Sequence, residues 1–208
     1  MSTQIRNGWL GVGLGVLACT LALPASAEDA PVQSTWKVQE IKYSYVGFTT
    51  AYDCDSAAAK IKAILHEVGA HPNTKVTAQG CMSNRPARNF FITVTAATPV
   101  PASDAKPTPA DQSKQELLKR IGIKSDISTD EFPATWTTVD LAKNRRLDLR
   151  PGDCELMEGL RDKVLPKLGV KVTEQRLSCT PHQVGITTPQ LTVSALVPIK
   201  TPDQKSGG

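Results

Sequence analysis

Long apolar runs are missing from this chain except at its start. After the stretch over residues 9–23, nothing approaches the roughly 18 consecutive apolar residues that a membrane-spanning helix needs. A helical protein with several spans is thereby excluded. Histidine is scarce, with only His66, His71 and His182. Neither His66 nor His71 has a counterpart where the second half of the chain resembles the first, so Cys54 or Cys81 with either of them makes no repeated zinc-ligand pattern. Cys-x-x-Cys is absent, which removes the commonest redox dithiol. The one glycine-rich string, Gly11-Val12-Gly13-Leu14-Gly15, falls inside the apolar start and lacks the spacing of a dinucleotide-binding turn. Strong charge is lacking too: 24 Lys and Arg against 20 Asp and Glu give a formal net charge of +4. That is too modest, without a reading motif, to point to nucleic acid. It fits attraction to an acidic surface but does not require one.

What is present begins with an export signal. Arg6 precedes the apolar stretch, Pro24 ends it, and Ala25-Ser26-Ala27 supplies the small residues that a signal peptidase requires. Residues 1–27 therefore read as a signal peptide, cleaved near Ala27, which predicts a periplasmic or secreted protein with no transmembrane segment in the mature chain. The alternative is a lipoprotein anchored through Cys19, against which stand the bulky Leu17 and the apolar run that continues past it. Cleavage leaves Cys54, Cys81, Cys154 and Cys179, an even number in a compartment that permits disulfides.

The chain resembles itself. One spacing carries Thr35-Trp36 onto Thr135-Trp136, Asp53-Cys54 onto Asp153-Cys154, and Gly69 onto Gly169. Further along, Val76-Thr77-Ala78-Gln79 answers Val172-Thr173-Glu174-Gln175, Cys81 answers Cys179, and Thr93-Val94-Thr95-Ala96 answers Thr192-Val193-Ser194-Ala195. A repeated unit is read once, as one fold.

In each copy an extended stretch follows the Trp, rich in β-branched and aromatic residues in the first (Ile41, Tyr43, Tyr45, Val46, Phe48) and weaker over residues 139–141. Asp53 and Asp153 then read as helix N-caps, and Gly69 and Gly169 as helix stops. Between them Ile61, Ile64, Leu65 and Val68 form one apolar stripe, as do Leu156, Leu160, Val164 and Leu168. Pro166 is expected to kink or fray the end of the second helix. Two strands follow in each copy, over residues 75–81 and 90–97, and over 170–179 and 191–197. Alternation is clean in the last strand, with Phe90, Ile92, Val94 and Ala96 opposing Phe91, Thr93 and Thr95.

The predicted fold class is α+β: two tandem β-α-β-β modules with helices on one face of antiparallel sheet. A helix that runs back over a sheet starts at the end where the strand after it finishes, so Cys54 should bond Cys81 and Cys154 should bond Cys179. Each bridge would close a loop worth about 3 to 4 kcal/mol in the chain-entropy model. The domain reading is a signal peptide (1–27), an N-terminal tail (28–34), a first module (35–100), a Pro-rich linker (101–132) with a short helix near 114–121, a second module (133–200) and a disordered tail (201–208).

No nucleophile with a base, no catalytic carboxylate pair, no metal site and no cofactor motif stands out, and the three histidines read as solvated. The sharpest asymmetry is the basic string holding Arg145, Arg146 and Arg150, which replaces the aromatic region of residues 45–52; Arg85 and Arg88 form a second, smaller basic loop. These five arginines are the candidate partner-binding residues. The expected function is an exported, non-catalytic binding or structural protein of the bacterial cell envelope. Its partner would be an acidic envelope component or another exported protein. A small exported hydrolase and an inhibitor of an exported enzyme are the alternatives. The sequence leaves open the oligomeric state and whether the two modules share a sheet.

Overall fold

The computed structural model describes residues 30–81, 85–105 and 130–199. The signal-peptide reading, Cys19, the short helix near 114–121 and the tail over 201–208 lie outside the described residues. The fold is α+β, with one six-stranded antiparallel sheet, two helices and two disulfides. The strands are β1 (Val32–Val46), β2 (Lys75–Gln79), β3 (Asn89–Pro101), β4 (Phe132–Asp140), β5 (Lys171–Arg176) and β6 (Gln190–Pro198), in the order β2-β3-β1-β4-β6-β5. Helix α1 spans Cys54–Glu67, and α2 spans Cys154–Gly159 before running on as a π-helical segment, Leu160–Val164.

The two halves thus share a sheet. β1 and β4 meet at the centre through Val32↔Ala134, Gln33↔Pro133 and Ser34↔Phe132. Both strands begin ahead of their Trp, inside segments that by composition read as tail and linker. Along β1, Ile41, Tyr43 and Tyr45 stand opposite Val94, Ile92 and Phe90 of β3, and this side is the covered one. In the second half Val139 pairs Val193 of β6, and β4, at 9 residues against 15 for β1, stops where the arginine-rich string begins. The helices' apolar stripes and the covered side of the sheet form a single core, in which Ile41, Ile61 and Ile92 of the first half join Leu156, Leu160 and Val193 of the second.

Both cystines pair as the topology requires. Cys54–Cys81 has a Cα separation of 5.8 Å and Cys154–Cys179 one of 5.5 Å, closing sequence spans of 27 and 25 residues. Pro166 acts upstream of the last turn. It has no N–H to give to the Asp162 carbonyl and its ring crowds that carbonyl, and the helix widens over Leu160–Val164, with the Leu165 amide reaching the Leu160 oxygen at 2.9 Å.

From the central seam β1 and β4 run in opposite directions, yet the segment after β1 meets the loop after β5. The Phe48 and His182 rings lie 6.0 Å apart, and the Thr49 hydroxyl donates to the Thr180 carbonyl at 3.3 Å. The sheet therefore curls, in line with the twist that strands impose on one another, and this curl assembles the site described next.

Candidate binding site at the junction of the halves

The turn leaving β1, residues 47–52, is tied down from both sides. From its own half, the Gly47 amide donates to the Arg88 carbonyl at 2.6 Å and the Tyr45 hydroxyl to the Thr50 carbonyl at 3.0 Å. From the other half comes Glu155, in the first turn of α2. Its carboxylate accepts from the amides of Phe48 at 3.0 Å, Thr49 at 3.1 Å and Thr50 at 3.4 Å. Three convergent N–H donors suit an ionised carboxylate.

Beside it lies Asp153, only 3% exposed. It does not cap α2 with its side chain as the sequence suggests; the carboxylate instead turns inward between the halves. One oxygen accepts from Lys60 Nζ at 2.7 Å and from the Arg150 amide at 2.7 Å; the other accepts from the Tyr52 hydroxyl. Lys60 also donates to the Asp148 carbonyl at 3.2 Å. Burial, and then the bond to Asp153, hold the Tyr52 phenol protonated well above the ordinary tyrosine range. Asp53, by contrast, caps α1 as expected, accepting from the Ser56 amide at 2.8 Å.

Two clefts flank this joint. One, of about 320 Å³, lies between α2, the end of β5 and the β5–β6 loop, against the Cys154–Cys179 bridge; Arg161 and Arg176 line it. The other, of about 370 Å³, is lined by Tyr43, Phe48, Glu158, Asp162 and Lys163. Burial raises the Glu158 carboxyl, and neighbouring Asp162 and Glu155 add to the rise against the pull of Arg161. The Tyr43 hydroxyl is buried with no hydrogen-bond partner among the described residues, and burial pushes its pKa up.

The five arginines singled out by sequence do not form one patch. Arg88 joins the junction, its Nη1 donating to the Phe48 carbonyl at 3.3 Å, with Arg85 exposed in the same loop. Arg150 turns its guanidinium to Asp148, with Nε and Nη2 at 3.1 and 2.6 Å from the same carboxylate oxygen, so its charge is locally balanced. Arg145 and Arg146 sit exposed on a 3-10 turn (Arg145–Leu147) capped by the Asn144 side chain. The histidines are not uniformly solvated. His66 and His182 are exposed, but His71 is half-buried edge-on against Trp36, and its Nδ1 accepts from the Asn73 amide at 3.1 Å.

Around Arg88 the surface is unexpectedly apolar. Val46 is 51%, Phe48 50% and Phe91 69% exposed. The register Ser44↔Phe91 and Val46↔Asn89 puts Val46 and Phe91 diagonally next to each other on the uncovered side of the sheet. Sequence reasoning found Phe91 on the polar side of β3 but missed Tyr52, Lys60 and Glu155. The only signal for Glu155 was its place in the first turn of a helix, where acidic residues are common for local reasons. No protein-family model matches the chain, and no curated protein or solved structure is significantly similar to it.

Proposed function

We propose that this protein is an exported, non-catalytic binding protein of a bacterial cell envelope, made by duplication of one disulfide-stapled module. Duplication is supported by the matched landmarks of the two halves and by a strand order that reads equivalently from either edge of the sheet. Export is supported by the signal-like start and by two cystines of the kind that persist in oxidising compartments.

The observation that carries the binding reading is the exposed pair Val46 and Phe91 on the uncovered side of the sheet, with exposed Phe48 in the turn that follows, whose carbonyl Arg88 holds. Grouped apolar residues on a surface mark interaction sites far more often than scattered ones do, and Arg88, with Arg85 in the same loop, favours an acidic partner. The polar side chains nearby have structural employment: Glu155 holds the turn and Asp153 joins the halves. The test has two parts. Fractionation with intact-mass measurement should find a chain starting at Glu28, oxidised, outside the cytoplasm. Co-sedimentation of that form with isolated envelope material should then fall sharply on F91S or R85E/R88E, with R145E/R146E/R150E as the comparison for the other basic string. Retention in the cytoplasm, or sedimentation untouched by all three variants, would overturn the proposal.

A further inference from the structure

We propose that the cleft beside the Cys154–Cys179 bridge binds a monosaccharide-sized polyol carrying one carboxylate or phosphate group. Its volume, about 320 Å³, falls at the small end of ligand-binding cavities. Its charge can be worked out residue by residue. Glu155 reaches the cleft but spends its carboxylate on the three amides of the β1 turn. Arg161 is held by its neighbour, with Nε 2.6 Å and Nη2 2.9 Å from the two Asp162 oxygens. Arg176, exposed at the end of edge strand β5, has no carboxylate within ion-pair distance among the described residues. Arg176 is therefore the cation of this wall without an ion-pair partner among the described residues, while Glu155 keeps its negative charge on the Thr49 side, so a ligand with a single oxyanion directed at Arg176 is the best match.

The rest of the lining suits hydroxyl groups. Arg161 Nη1 donates to Gln175 Oε1 at 3.2 Å, which fixes that amide and leaves its NH₂ as a free donor. Gln183 and Ser178 add neutral polar groups, and the Thr49 hydroxyl, already donating to the Thr180 carbonyl, remains an acceptor. A guanidinium paired with amides and hydroxyls recognises an acidic sugar better than a bare inorganic ion, because each hydroxyl finds a partner. The neighbouring cleft, lined by Glu158, Asp162 and Lys163, has no arginine among its lining residues.

Calorimetric titration of the oxidised protein with glucuronate, glucose 1-phosphate, glucose and acetate tests this, read alongside amide shifts in the β5–β6 loop. One or both charged sugars should bind one-to-one, with the stronger identifying the oxyanion. Glucose and acetate should each bind at least about tenfold more weakly, and R176Q should weaken the charged sugar about tenfold or more while R176K keeps part of it. R85E, in an exposed loop that lines neither cleft, should leave sugar binding unchanged. Equal binding of glucose or acetate, unchanged affinity in R176Q, or no heat and no shifts with either charged sugar would overturn the proposal.

Discussion

Asp53 and Asp153 precede corresponding helices and end in different environments. The first is a surface N-cap. The second is buried against Lys60, Tyr52 and the Arg150 amide, where an ionised carboxylate is tolerable only because its partners replace water. D153N should therefore destabilise the protein by about 3 to 5 kcal/mol, since it strands a half-buried lysine, and Y52F by about 1 kcal/mol. D53N should change stability by a few tenths only, because asparagine caps equally well. Urea unfolding of the three variants checks the order. His71 supplies a pH dependence. Burial lowers its pKa below the ordinary 6.5, and its Nδ1 must be unprotonated to accept from Asn73. The unfolded chain binds that proton more readily, so this contribution to stability is complete above about 6.5 and is lost as pH falls through the lower folded value. His66 shifts in the same direction. The unfolding midpoint should be flat above neutrality and drop below it, and H66Q/H71Q should remove that part of the slope. At this scale the sequence announces a cap or a histidine, but not the partner, which for Asp153 lies in the other half of the chain.

Elements whose character depends on near neighbours were legible. The alternation of Phe90, Ile92 and Val94 gave β3, the stripe of Ile61, Ile64 and Leu65 gave α1, and strand-helix-strand geometry gave both cystines. Replacing either cysteine pair with alanine should cost about 3 to 4 kcal/mol, measured against the oxidised parent by denaturant unfolding. What local pattern missed depends on distant contact. Residues 32–34 look like a tail until Phe132, Pro133 and Ala134 pair with them, and the widening over Leu160–Val164 is settled by a proline beyond the segment together with the core that the helix must fit. The turn after β1 is ordered by Glu155 from the second half. In E155Q, hydrogen exchange at the amides of Phe48, Thr49 and Thr50 should accelerate while exchange in β3 stays as it was, which a general loss of stability would not produce.

The whole molecule is more than two modules side by side, because one core crosses the seam. The buried Thr98 hydroxyl donates to the Leu168 carbonyl at 3.1 Å, and Gly69 ends α1 directly against β6. Gly69 and Gly169 both have positive φ, +86° and +77°, but a Cβ at Gly69 would stand 2.7 Å from the Leu196 carbonyl oxygen whereas one at Gly169 meets nothing within 4 Å. G169A should thus cost about 1 kcal/mol from backbone conformation alone, and G69A distinctly more; thermal unfolding of the pair separates the two effects. The sequence by itself determined the element types, the repeated landmarks and the cystine partners, since these follow from periodicity, capping and loop closure within a few tens of residues. Only the tertiary structure decided that the halves share a sheet, that Asp153 and Glu155 join them, and that the curl of that sheet sets two clefts and an exposed aromatic surface at one junction. Those outcomes depend on twist accumulated over six strands and on contacts about a hundred residues apart, which no local pattern of side chains encodes.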